Sequence, residues 1–174
     1  RAVSAAFTDG GPRVMLATDL VDLTMDAQEC TMGVSSITRS STSHIFFTSG
    51  STGRPKGCVV SHGALANYCS ARNVAHSVDQ ESVCFVASAH TFDPSLGDLM
   101  ATLLAGGRVA YAPRHLLLPQ LGALLLESRA THLCCTPTLF ATLRGTRFEQ
   151  PGELTHLQVV ALGGEQAAPV LLKS

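Results

Sequence analysis

The residue types best suited to chemistry gather at residues 46–57, FFTSGSTGRPKG, in a chain of 174 residues. Apolar residues give way to Thr48, Ser49, Gly50, Ser51, Thr52 and Gly53, then to Arg54, Pro55, Lys56 and Gly57. Glycines let successive backbone N–H groups turn toward one anion, and the hydroxyls add donors. Lys56 contributes a mobile positive charge of the kind that contacts β- and γ-phosphates. Neither the glycine spacing nor the ending is that of a Walker A loop, so a different phosphate cradle is implied. For GSTG alone a plain Gly/Ser surface turn is the alternative. The lysine, the apolar strand before it and the alternating elements after it favour the cradle. Two further places carry polar groups beside apolar strands: FDPS at 92–95, with His90 just before it, and LGGEQ at 162–166. Asp93 stands at a helix N-cap with Pro94 at N1, and His62 falls in the first turn of a helix capped by Ser61. Glu165 has a reading of its own as a first-turn glutamate facing a helix dipole.

The elements that must position these groups are legible from residue 44 onward. Segments 44–48 (HIFFT), 82–87 (SVCFVA), 108–112 (RVAYA), 132–136 (HLCCT) and 156–162 (HLQVVAL) read as strands. Their continuous apolarity marks strands covered on both faces. Helical periodicity lies between them. Segment 94–105 carries an apolar stripe of Leu96, Leu99, Met100, Leu103 and Leu104, and Gly106-Gly107 ends it. Segment 119–129 repeats the pattern through Leu121, Leu124 and Leu125, and 61–77 and 138–144 are weaker helices. Each connection is long enough for a right-handed crossover between parallel strands. The expected fold class is α/β, an open, mostly parallel doubly wound sheet. Residues 1–43 read as a lead-in, with a possible strand at 13–18 and a polar linker at 31–43, and residues 44–174 as one domain.

Bulk properties narrow the partners. The formal net charge is −1, and charged residues make up 14% of the chain, against about 25% in an average soluble domain. No basic stripe runs along the sequence, which argues against nucleic acid and anionic membrane surfaces. No apolar run approaches the roughly 20 residues of a membrane span. Mean hydropathy is +0.24, so some faces are expected to pack against further protein. The cysteines are Cys30, Cys58, Cys69, Cys84, Cys134 and Cys135. They form no CxxC pair and read as reduced core thiols of a cytoplasmic protein. The chain opens on Arg1 without a signal peptide, and both ends read as cut.

TSGSTGRPKG resembles the signature of the adenylate-forming (AMP-binding) superfamily, which includes acyl-CoA synthetases, luciferases and the adenylation domains of nonribosomal peptide synthetases. The resemblance continues in order through FDPSLGD (92–98), LLAGGRV (103–109), CTPTLF (135–140) and LGGEQ (162–166), and so covers about residues 44–174. It implies part of the large N-terminal domain of such an enzyme, truncated at its C-terminus. In that family a carboxylic acid reacts with ATP to give an acyl-adenylate and pyrophosphate, and a thiol then takes the acyl group. By resemblance, Thr48, Ser49, Gly50, Ser51, Thr52, Gly53 and Lys56 hold the triphosphate, with Thr52 near Mg²⁺ and Lys56 and Thr52 closest to the chemistry. Gly163, Gly164 and Glu165 line the adenine side. Asp93 is the aspartate that pairs with the α-ammonium of an amino-acid substrate, and Pro94, Gly97, Cys134, Ala161 and Gly163 line the side-chain pocket. The implied cofactors are Mg²⁺ and a phosphopantetheine thiol acceptor, and the implied partner is a carrier-protein domain. Segments that complete the site in whole members, including a Tyr-Gly-Pro-Thr-Glu-like stretch and a C-terminal lysine domain, have no counterpart here. The fragment alone is therefore expected to be inactive. An acyl-CoA synthetase fragment and a non-catalytic nucleotide-binding remnant are the alternatives.

Overall fold

Residues 15–16, 37–48 and 55–167 are described by the structure, a computed structural model. In chain order the strands are β1 (Met15–Leu16), β2 (Thr42–Thr48), β3 (Lys56–Ser61), β4 (Val83–Val86), β5 (Arg108–Tyr111), β6 (His132–Cys135) and β7 (Val159–Leu162). The helices are α1 (His62–His76), α2 (Asp93–Leu104), α3 (Arg114–Glu127) and the single turn α4 (Pro137–Phe140). A five-stranded sheet runs in the order β1-β5-β4-β6-β7, with β4 to β7 parallel and β1 antiparallel at the edge. The α/β class and the parallel core match the expectation from sequence.

Side chains alternate across the sheet, and each face has its own cover. Val83, Phe85, Leu133 and Cys135 pack with Leu117, Leu121, Leu124 and Leu125 of α3 in the main apolar core. Phe85 and Leu124 are fully buried, and each such side chain contributes about 1.5–3 kcal/mol by leaving water. On the opposite face Cys84 lies against Thr102 of α2 and Arg72 of α1. The connection from β4 to β5 thus uses one face, through α2, and that from β5 to β6 uses the other, through α3. β5 lies on one side of β4, and β6 and β7 on the other. That arrangement leaves a switch point between β4 and β6, where an open α/β sheet has a crevice at its carboxyl ends. Among the described residues, no helix is long and apolar enough to cross a membrane.

Five features differ from the sequence reading. The 44–48 strand does not join the parallel sheet. It forms an antiparallel hairpin with β3, a strand that the glycine- and lysine-rich sequence had concealed. β2 is also not covered on both faces: Phe47 is 70% exposed, and His44 and Phe46 are half-buried. The cap of α2 is Phe92, with no side-chain hydrogen bond, and Asp93 sits inside the first turn. Finally, Met100, Leu103 and Leu104 of the α2 stripe are exposed, while Ser95, Gly97, Asp98, Ala101 and Thr102 are buried. Small residues win the inward face because α2 lies close to α1 and to β4. Helix α3 starts five residues earlier than expected and kinks at Gln120 (φ −136°), just after Pro119. Proline removes an N–H and crowds the preceding turn, so the two halves bend there.

Candidate functional site

Two of the three polar stretches singled out in the sequence, FDPS and LGGEQ, lie beyond the carboxyl ends of parallel strands. β4 runs into 87–92 and the start of α2, β6 into Thr136 and α4, and β7 into Gly163, Gly164 and Glu165. Thr136 caps α4 by accepting from the Leu139 N–H at 3.2 Å. Glu165 reaches across from the end of β7 and accepts from the Thr138 N–H at 2.6 Å, so its carboxylate caps α4. Hydrogen bonds from Thr138 hold the Glu165 carboxyl below its ordinary value. Gly164 makes the turn possible with φ +83°, a conformation that a side chain would strain. Gly163 is open: among the described residues no atom lies within 4 Å of the place a Cβ would occupy.

The hairpin frames the glycine-rich loop. Thr48 closes β2 and pairs with Lys56, the first residue of β3, and the Thr48 hydroxyl donates to the Lys56 carbonyl at 3.4 Å. Both side chains are exposed. Ser49, Gly50, Ser51, Thr52 and Gly53 lie outside the described residues, so the two ends of the cradle are placed and its middle is not. Directly after the hairpin, Ser61 caps α1 by accepting from the Ala64 N–H at 3.2 Å, which puts His62 in the first turn as the sequence suggested.

Between the hairpin, α1 and the first turn of α2 lies a groove of about 840 Å³. Its walls are mostly apolar, with Phe46, Tyr68, Phe92 and Pro94 among them, and Thr48, Asp93 and Gly97 also line it. Asp93 is exposed there and forms no ion pair among the described residues. A second cavity of about 550 Å³ adjoins it over the ends of β4 and β5 and shares Phe46, Thr91 and Leu96 with the groove. His90 and Arg114 line this second cavity. The two cavities together form a continuous apolar trough with a carboxylate at one end of α2.

Behind the groove stands a buried ion pair that sequence reasoning did not find. Arg72 of α1 donates through Nη2 to Asp98 Oδ1, with side chains only 7% and 3% exposed. Arg72 Nη1 and Asp98 Oδ2 find no protein partner among the described residues. Burial pushes the Asp98 carboxyl up to about 6, against the pull of Arg72. Cys134 is the register partner of Val86 on one side and Ala161 on the other. Its thiol is raised by burial and by the charge of Asp98, so it stands on the α1–α2 face of the sheet. Cys135 points the other way into the core, and burial pushes its thiol up to about 12, leaving it inert at neutral pH.

The predicted residues thus form two groups. Thr48, Asp93, Pro94 and Gly97 share the groove, while Cys134 and Ala161 neighbour each other on the sheet and lead into Gly163, Gly164 and Glu165. Tyr68 and Arg72 went unseen because they belong to the weakly patterned helix after the hairpin, and the pairing of Arg72 with Asp98 depends on how that helix meets α2. Spacing offered one signal, since Tyr68 and Arg72 are four apart and share a helix face. Among the described residues, no group of three or more His, Cys, Asp or Glu converges on a point that could hold a metal ion. The Thr52 hydroxyl, assigned near Mg²⁺ by resemblance, lies outside the described residues.

Comparison with known proteins shows the family. A model of the AMP-binding enzyme family matches residues 9–174. The nonribosomal peptide synthetase sidC of Aspergillus fumigatus is 40% identical over 129 residues, which cover 71% of this chain and 2% of that protein. The nonribosomal peptide synthetase atnA of Emericella nidulans is 33% identical over 121 residues, covering 70% of this chain and 2% of that protein. The chain therefore spans about one fiftieth of the length of these relatives. Among solved structures, the Vibrio cholerae adenylation domain AlmE, in complex with glycyl-adenosine-5'-phosphate, superposes with a TM-score of 0.63 at 25% identity. The match covers 69% of this chain and 23% of that one. The peptide synthetase FmoA3 in its AMPPNP-bound form shares the fold, with a TM-score of 0.66 at 23% identity over 75% of this chain and 14% of that one. The trough at the strand ends, the hairpin around the glycine-rich loop and these likenesses agree: this chain belongs to the AMP-binding enzyme family and carries adenylation-domain sequence of the peptide-synthetase kind.

Proposed function

We propose that the protein carrying this chain activates an α-amino acid as its acyl-adenylate. The observation that carries this reading is Asp93, an exposed carboxylate without an ion-pair partner among the described residues, in an otherwise apolar groove. An ammonium group seated there gains a charge-assisted bond. An acid lacking the amine forgoes that bond, which is what would discriminate between the two. The substrate carboxylate attacks the α-phosphorus of ATP, the bond to the β-phosphate oxygen breaks, and pyrophosphate leaves. Thr48, Lys56 and the 49–53 loop hold the triphosphate, and the Lys56 ammonium offsets charge that gathers on the leaving phosphates. Catalysis is then chiefly positioning. Mg²⁺ supplies charge neutralisation when bound. Thr52 would contribute a hydroxyl to hold it, a hard oxygen donor of the kind this ion takes. The Pro94, Gly97, Cys134, Ala161 and Gly163 set lines the side-chain pocket, and the Gly163–Glu165 turn the adenine side.

The glycyl-adenylate bound to AlmE and the synthetase relatives support an amino acid as substrate and a carrier-bound phosphopantetheine thiol as acceptor. Five free cysteines among the described residues suit a reducing, cytoplasmic setting. The test is ATP–pyrophosphate exchange in the intact protein, with amino acids set against their des-amino analogues. The expected result is exchange with amino acids alone, falling by at least tenfold in Asp93→Asn. Equal exchange with both sets, unchanged by Asp93→Asn, removes the ammonium role and leaves an acyl-CoA-synthetase type of activation.

A further inference from the structure

Position 97 is occupied by glycine, and the reason lies in the neighbouring helix. A Cβ at Gly97 would lie 2.8 Å from both the Tyr68 hydroxyl and Tyr68 Cε1, closer than real Cβ contacts come. The Tyr68 ring therefore fills the space that a side chain at 97 would take. Asp93 and Gly97 are four residues apart on α2, so they stack on one helix face about 5–6 Å apart. Whatever lies against Gly97 lies one helical turn from the carboxylate that is proposed to hold the ammonium.

Tyr68 is half-exposed, lines the same groove as Asp93, and its hydroxyl makes no hydrogen bond to protein among the described residues. Burial raises its phenol above the ordinary value, with the Asp98 carboxylate adding to the rise against Arg72, so the O–H stays protonated at neutral pH and can donate. The groups around it are Arg72 four residues along α1, Asp98 beside Gly97 on α2, and the thiols of Cys69 and Cys134. Arg72 and Asp98 are engaged with each other. The phenol is left as the polar end of an apolar wall.

We propose that Tyr68 is a specificity-determining residue of this site. It limits the depth of the groove in place of a side chain at 97, and it selects amino acids whose uncharged side chain accepts a hydrogen bond at its tip, a carboxamide or a hydroxyl. The inference rests on the amino-acid reading above and adds a residue on α1 to a pocket otherwise built from α2 and the strand ends.

The experiment is ATP–pyrophosphate exchange in the intact protein with three matched pairs: asparagine and leucine, glutamine and methionine, threonine and valine. Wild type is compared with Tyr68→Phe, Tyr68→Ala, Gly97→Ala, Asp93→Asn and the double variant Tyr68→Ala with Gly97→Ala. Wild type is expected to prefer the polar member of at least one pair. Tyr68→Phe should lower kcat/KM for that polar member about tenfold, leaving its apolar partner unchanged, because only the hydrogen bond is lost. Tyr68→Ala should shift preference toward larger side chains such as phenylalanine. Gly97→Ala alone should weaken exchange with every acid, and adding Tyr68→Ala should restore it. A merely structural Tyr68 would lower exchange with both members of a pair alike, and that result overturns the proposal, as does a wild type that prefers the apolar members. Tyr68 variants with unchanged selectivity, alongside an Asp93→Asn that loses exchange, refute this inference and leave the amino-acid reading standing. A wild type that exchanges with no amino acid refutes both.

Discussion

The Arg72–Asp98 pair makes a prediction whose sign runs against the usual expectation for buried salt bridges. Removing one partner of a well-satisfied buried pair costs about 3–5 kcal/mol. Among the described residues only one oxygen of Asp98 finds a partner, and its carboxyl is raised from 3.8 to about 6, chiefly by burial. Between those two values the unfolded chain has released the proton and the folded chain still holds it. Stability therefore falls as pH rises through that window. The gap, about 6 less 3.8, corresponds to about 3 kcal/mol at roughly 1.4 kcal/mol per pKa unit. Asp98→Asn keeps an oxygen for Arg72 and offers N–H donors in place of the unsatisfied oxygen. The two proteins should differ little near pH 4. By pH 7.5 wild type should have lost about 2–3 kcal/mol relative to the variant, mostly before pH 6.5. Urea unfolding of both proteins at several pH values gives the difference, in which most other titrating groups cancel. His76 also feels Arg72 and is lowered mainly by burial, so the comparison is repeated in a His76→Gln background. A wild-type advantage that grows between pH 4 and 7.5 would mean that Arg72 outweighs burial, and the reasoning would fail.

Two further outcomes follow from named contacts. Lys56→Ala should weaken ATP binding roughly 10- to 150-fold, since a charge-assisted contact is worth about 1.5–3 kcal/mol; unchanged ATP affinity in a folded variant would remove the hairpin loop from the site. Leu124→Ala, at a fully buried position in the core between α3 and the sheet, should lower stability by about 2–5 kcal/mol in urea unfolding without changing the preference among amino acids. A shift in that preference would tie the α3 face to the pocket.

The parallel core was legible because its strands are short, apolar on both faces and separated by helices long enough for crossovers. β4 shows this best, with Val83, Cys84, Phe85 and Val86 all buried. The same rule misled at 44–48, where HIFFT is just as apolar but lies in a hairpin whose outer side chains meet solvent. Apolarity reports burial somewhere in the finished assembly. It does not say which sheet the strand joins. Lys56–Ser61 escaped notice since a glycine and a lysine open it, and its β-branched residues fill only two positions. The α2 stripe failed for a different reason. Close approach to α1 selects Gly97, Ala101 and Thr102 for the inner face, and leucines are too large for it. Asp93, Gly164 and Glu165 drew notice through the motifs that hold them, but the N-cap read for Asp93 falls to Phe92, and Glu165 meets Thr138 of α4. Tyr68 and the Arg72–Asp98 pair depend on how two helices meet, which no single segment encodes.

The strand order has a consequence for how the chain is made. β2 and β3 are joined by a short loop and can close within about 1–10 μs of leaving the ribosome. β4 must wait, because the Val83 N–H is held by the Thr131 hydroxyl, 48 residues further on. At about 5–20 residues per second, that wait is on the order of 2 to 10 s. β5 can cover one edge of β4 earlier, but the edge that will receive β6 stays open until then. A nascent chain paused in this stretch presents Val-Cys-Phe-Val with one edge unpaired, the kind of template on which another chain can pair.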